Sequence, residues 1–176
     1  DVYKRQIMKG REIMTSNKLK SLGQLILFII GIELIGGLSG LLAGDIKGIY
    51  NNLKLPPLAP PDYLFGIVWP LLYAFIAISA YLIFYKLKTQ RSEAKNALFY
   101  FGIQLILNFI WSIIFFKGYF WLGVIIILLL DFIVYLCIIK FSKINKWSSF
   151  LLIPYFVWII FATYLSISVA CLLYTS

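Results

Sequence analysis

Five stretches of roughly 20 residues almost without charge recur along this chain, at about Leu19 to Ala43, Phe65 to Tyr85, Ala97 to Phe116, Phe120 to Ile139 and Phe150 to Leu172. Each is long enough to cross a hydrocarbon core about 30 Å thick. In lipid only helices and closed barrels satisfy every backbone group, and barrel strands alternate polar with apolar residues. These runs are continuously apolar, so they read as helices. Composition agrees: of 176 residues 62% are hydrophobic and 13% charged, and a water-soluble fold of this size could not hide that much apolar surface. The expected fold is an all-α integral membrane protein, a five-transmembrane-helix bundle forming one domain over residues 19–172. A basic N-terminal tail at 1–18 precedes it and a short tail at 173–176 follows. DVYKRQ and CLLYTS at the two ends read as non-native remnants, and no cleavable signal peptide is expected.

The net charge of +9 is carried between the apolar runs, with no basic helix suited to a nucleic-acid groove, so nucleic acid is not expected as a partner. Thirteen of the sixteen Lys and Arg fall in the N-terminal tail and the second and fourth loops; only Lys47, Lys54 and Lys117 fall on the other side. That bias predicts a cytoplasmic N-terminus, with the long first loop and the C-terminus outside, in a bacterial plasma membrane. The chain has no His, and Cys137 and Cys171 share no CxxC spacing. No metal site, disulfide framework or conventional nucleophile-and-base constellation is therefore expected.

The stretch LPPLAPPDYLFGIVWPLLY, Leu55 to Tyr73, places Pro56, Pro57, Pro60 and Pro61 directly ahead of the second run. Prolines in lipid would forfeit backbone hydrogen bonds, so these belong at the interface. Each also pushes the preceding residue to extended geometry, which makes the loop a stiff strap. We read it as a lid over the mouth of the bundle, with Asp62 at the N-cap of the second helix.

Helical spacing sorts the remaining polar and aromatic residues. Trp69 and Tyr73 share a face; Asn108, Trp111, Ser112 and Phe115 form a second stripe, and Tyr155, Trp158, Ala162 and Leu165 a third. Three such stripes can wall one cavity suited to a flat aromatic guest. The plain alternative is interfacial anchoring, to which Trp121 and Trp147 at helix ends are assigned. Glu33 and Asp131 lie inside spans, where an ionised carboxylate costs at least about 2.5 kcal/mol, so each should face the interior or a donor. Asp131 is read as a ligand contact or an interhelical hydrogen bond, and Glu33 as nearer to structure. Gln104 and Asn108 are equally readable as interhelical glue. Gly36, Gly40 and Gly44 form a small-residue stripe for close helix packing, within the chain or between copies.

LPPLAPPDYLFGIVWPLLY, QLILNFIWSIIFF (Gln104 to Phe116), Asp131 within LLLDFIVYL, and IPYFVWIIFATYLS (Ile153 to Ser166) together resemble the tryptophan-rich sensory protein or translocator protein family, also called the peripheral benzodiazepine receptor family. The resemblance implies a five-helix bundle, often a homodimer, whose cavity is capped by the first loop. It implies binding of tetrapyrroles such as protoporphyrin IX, with isoquinoline carboxamides or benzodiazepines as synthetic ligands. For some bacterial members it also implies light- and oxygen-dependent porphyrin degradation that needs tryptophan. Trp69 and Trp158 match the family's pocket tryptophans and are the candidate photochemical residues. Tyr73, Ser112, Phe115, Asp131, Ala162 and Leu165 match other lining positions, and Tyr50, Pro60 and Phe65 complete the candidate ligand set. Ile49 stands before Tyr50 where many members have Trp, and Ser166 follows Leu165 where Asn is common. Nothing basic follows Tyr164, which disfavours sterol transport. The expected function is a membrane-embedded tetrapyrrole-binding sensor requiring no cofactor, with porphyrin as ligand or substrate and membrane lipid as its surroundings. The alternative is a carrier of porphyrins or other amphiphiles, which would need kinked helices and two accesses.

Overall fold

The computed structural model describes residues 2–175. Six α-helices follow one another: α1 (Val2–Ala43), α2 (Ile46–Asn51), α3 (Tyr63–Tyr85), α4 (Arg91–Phe116), α5 (Phe120–Ser142) and α6 (Lys146–Tyr174), with one 3₁₀ turn at Lys86–Lys88 after α3. All but α2 are long and apolar enough to cross a membrane, as the five uncharged runs predict. The observed helices extend past those runs because polar residues continue a helix where it leaves lipid. α4 begins six residues before Ala97, and α1 carries the basic segment 2–18 as uninterrupted helix. At 1.5 Å per residue α1 is about 63 Å long, twice the hydrocarbon core, and its residues 2–20 are all exposed.

Local chemistry ends the helices. Gly44 and Gly118 take φ of +92° and +90°, left-handed values open to a residue without a Cβ, and they stop α1 and turn the chain between α4 and α5. Asp45 caps α2 by accepting from the Gly48 amide at 3.0 Å, and Asn145 caps α6 by accepting from the amides of Trp147 and Ser148. Asp62 departs from expectation. It stands before α3 with helical dihedrals and makes no side-chain cap, because its carboxylate is held by the Asn51 amide at 3.0 Å and the Lys47 ammonium at 3.5 Å.

α1 packs on α3 and α4, α4 on α5, α5 on α6, and α6 returns to α3, closing the bundle. Large apolar side chains such as Leu34, Ile106, Leu129, Phe132 and Val157 project outward, as lipid requires. At the end remote from the proline-rich connection the helices meet through small residues. Ser79 and Ser148 each donate a hydroxyl to the other's carbonyl at 2.7 Å, and Ala77, Ala80, Ala94 and Ala97 are wholly buried around them. The same side of α1 is tied to α3 through Ser21 and Tyr81.

The connection between α1 and α3 is pinned at several points. The Tyr50 hydroxyl donates to the Pro60 carbonyl and that of Tyr164, from α6, to the Pro57 carbonyl, both at 2.8 Å. Its apex is Leu58, 86% exposed and left-handed at φ +68°.

Candidate functional site

The aromatic side chains gather at the end of the bundle that carries this connection. Trp69 is at the centre: it stacks on Tyr73 at 5.5 Å between ring centres and lies 6.4 Å from both Trp111 and Trp158, the latter edge-on. Trp111 stacks on Phe115 at 5.5 Å, and Phe65 links the Tyr50 ring to Trp158. Such edge and offset contacts add about 0.5–1.5 kcal/mol per pair beyond burial and fix the ring planes. Bulky rings cannot interdigitate fully, and a cavity of about 460 Å³ is left beside them, within the range of small-molecule sites.

α1, α2, α3 and α4 wall this cavity. Tyr50, Phe65, Trp69, Tyr73, Trp111 and Ser112 of the expected ligand set line it. So do Glu33, Gly36, Gly37 and Gly40 of α1, a helix that the three aromatic stripes do not include. Gly36 faces the Tyr73 ring so closely that a Cβ would fall within it, so this member of the glycine stripe serves packing inside the chain. Glu33 is recognisable in the sequence as a carboxylate within an apolar run; its place on the cavity wall follows from the approach of α1 that Gly36 permits.

Lys47 and Asp62 stand among the lining residues where the α2 segment meets α3. The hydrogen bond from Asn51, aided by the Lys47 charge, holds the Asp62 carboxyl below the ordinary aspartate value. Burial, reinforced by the Asp62 charge, pushes the Tyr50 phenol above its ordinary value, so it remains a donor to Pro60.

Beneath the rings runs a buried polar chain. The Tyr73 hydroxyl donates to Asn108 Oδ1 at 3.1 Å, Asn108 Nδ2 donates to the Tyr155 hydroxyl at 3.1 Å, and that hydroxyl donates to Gln104 Oε1 at 2.8 Å. Asn108 and Tyr155 thus tie α3, α4 and α6 together and lie outside the cavity lining. Phe115, Ala162 and Leu165 line a separate hollow of about 20 Å³, across Trp111 and Phe65 from the larger one. Asp131 lines neither; on α5 it accepts from the Thr163 hydroxyl of α6 at 2.7 Å. Trp158 meets the cluster through its edge, and Pro60 offers only its carbonyl to Tyr50. The indole N–H groups of Trp111 and Trp158 are buried without an acceptor among the described residues. Trp121 and Trp147 are exposed. No cluster of metal-ligating side chains occurs among the described residues.

The site is therefore an apolar, aromatic chamber with the Glu33 carboxylate on its α1 wall and the Lys47–Asp62 pair where α2 meets α3. The model of the TspO/MBR family matches residues 25–172 of this chain. A tryptophan-rich protein TspO from Archaeoglobus fulgidus is 36% identical over 145 residues, covering 82% of this chain and 91% of that protein. An uncharacterized membrane protein, YtaB, of Bacillus subtilis is 32% identical over 153 residues, 85% of this chain and 96% of its own length. The translocator protein of Bos taurus is 28% identical over 140 residues, 76% of this chain and 82% of its own.

Proposed function

The chain belongs to the TspO/MBR family, and from that membership we propose that it is a membrane-embedded sensor that binds tetrapyrroles such as protoporphyrin IX. The observation that carries this reading is the convergence of Trp69, Tyr73 and Trp111 on a cavity of about 460 Å³. Flat apolar faces held at fixed angles favour a planar aromatic guest and cost little entropy on binding, because the rings are already ordered. In this reading the proline-rich strap serves as a lid through Tyr50, which lines the chamber and donates to the Pro60 carbonyl, although the strap residues 53–61 are not themselves on the chamber wall. The excess of Lys and Arg in the N-terminal tail and the second and fourth loops supports an outer position for chamber and strap in this reading.

A sensor fits better than a carrier because the opposite end of the bundle is shut by wholly buried Ser79, Ser148, Ala77 and Ala80, whereas carriage requires a second opening. Trp69, touching Tyr73, Trp111 and Trp158, is the indole best placed for light-driven chemistry on a bound porphyrin. Purified protein titrated with protoporphyrin in the dark and then under light, beside Trp69→Phe and Trp158→Phe, tests both parts. Quenching of indole fluorescence in the dark is the expected sign of binding, and its absence removes the tetrapyrrole reading. Photobleaching lost in Trp69→Phe with binding retained is the expected sign of indole chemistry; equal bleaching in all three proteins removes it.

A further inference from the structure

Two carboxylates line the chamber, and their surroundings differ. Asp62 is satisfied by Asn51 and Lys47. Glu33 accepts no hydrogen bond and forms no ion pair with any described residue, although it lines the same cavity. From Glu33 to the end of α1 at Ala43 the helix rises about 15 Å, roughly half a hydrocarbon core, where an unpaired carboxylate is hardest to keep. Three of the cavity's hydroxyls are engaged elsewhere, Tyr73 donating to Asn108 at 3.1 Å, Ser112 to the Asn108 carbonyl at 3.4 Å and Tyr50 to the Pro60 carbonyl, while the fourth, on Tyr63, stands on a largely exposed side chain. Gly66 and Pro70 also line the cavity, and Pro70 has no N–H to give the Gly66 carbonyl, so a second acceptor lacks its usual helical donor.

We propose that Glu33 determines which ligands the chamber accepts, selecting an aromatic body whose buried end carries a protonated or N–H-bearing nitrogen. The inference rests on this cavity being the ligand chamber and goes beyond any one ligand. Among titratable groups, Lys47 and Tyr50 of α2, Asp62, and Tyr63 and Tyr73 of α3 share the cavity with Glu33; the α4 lining residues Trp111, Ser112 and Phe116 carry no charge.

The test is equilibrium dialysis of native and Glu33→Gln protein, in zwitterionic lipid nanodiscs against empty nanodiscs, with naphthylmethylamine and its uncharged twin naphthylmethanol. The native protein should prefer the amine by about tenfold or more, the worth of a hydrogen bond to a charged group. Glu33→Gln should bind the two alike. No preference in the native protein overturns the proposal, and a preference that survives in Glu33→Gln assigns it to Asp62 and overturns it equally. With native protein alone, acidification from about pH 8 to about pH 4, across the usual range of carboxylate protonation, should weaken the amine and spare the alcohol; a constant ratio is again fatal. Protoporphyrin quenching on the same samples separates the two readings. Its failure beside a clear amine preference removes the tetrapyrrole reading alone, and its success without that preference removes only the role of Glu33.

Discussion

The two ends of this bundle are built from opposite kinds of side chain. At one, Ala77, Ala80, Ala94, Ala97, Ser79 and Ser148 let helices touch backbone to backbone with nothing left exposed. At the other, Trp69, Tyr73, Trp111, Phe115 and Phe116 hold the helices apart and leave a hollow. Apolar character alone does not distinguish them. Size does: small residues close a seam, and rings too large to interlock prop one open.

The sharpest way to break this contrast is to enlarge one residue at each end. Ala80→Leu should destabilise the bundle by about 1–3 kcal/mol, the ordinary cost of overpacking, seen as a fall in unfolding temperature in detergent. Ser112→Leu, on the cavity wall, should cost less than about 1 kcal/mol and lower protoporphyrin uptake instead. If both variants lose stability equally, the hollow is not real space. Next in size is Asn108→Leu, which strips a donor from Tyr155 and an acceptor from Tyr73. Interhelical hydrogen bonds in membranes average about 0.6 kcal/mol and reach about 1.7, so a loss of about 1–2 kcal/mol is expected in the same assay.

Tyr164→Phe should act on the connection alone. Losing its bond to Pro57 removes about 0.5–1.5 kcal/mol locally, readable as faster amide exchange at 53–59 with the unfolding temperature unchanged. The smallest effect is that of pH. Because the Asp62 carboxyl is held below its ordinary value in the fold, its contribution is complete above the unfolded value of about 3.9 and fades only as pH falls through the lower folded one. The exchange pattern of 46–62 should therefore stay constant from neutrality to about pH 4 and loosen only below it. Loosening near pH 6 would mean that another group holds the connection.

Much of this architecture is legible in the amino-acid order, because in lipid the length of an uncharged run is nearly a structural statement. All five spans and the shared face of Trp69 and Tyr73 can be read directly. What hydropathy cannot supply is which helices lie side by side. Periodic stripes on α3, α4 and α6 suggest one chamber among those three, yet α1 forms a wall through glycines with no side chain to advertise it, while Ala162 and Leu165 of α6 line a different hollow. Asp131 shows the limit for a single residue. A carboxylate in an apolar run demands a donor, and nothing in the run says that Thr163 of the next helix supplies it. Asp62 looks like a cap for α3 until the three-dimensional approach of Asn51 and Lys47 gives its oxygens something nearer.

The strap has a mechanical consequence. Pro56, Pro57, Pro60 and Pro61 each lock one backbone torsion, and Leu58 already occupies a left-handed well that a leucine leaves and re-enters only across a steric barrier. Few free rotations remain between 56 and 61, so that segment swings as a plate rather than bending like a thread. Any swing must be taken up at its margins, at Gly44 and the unlocked stretch 53–55, which is where a spin label would report motion while one at 59 merely rode along.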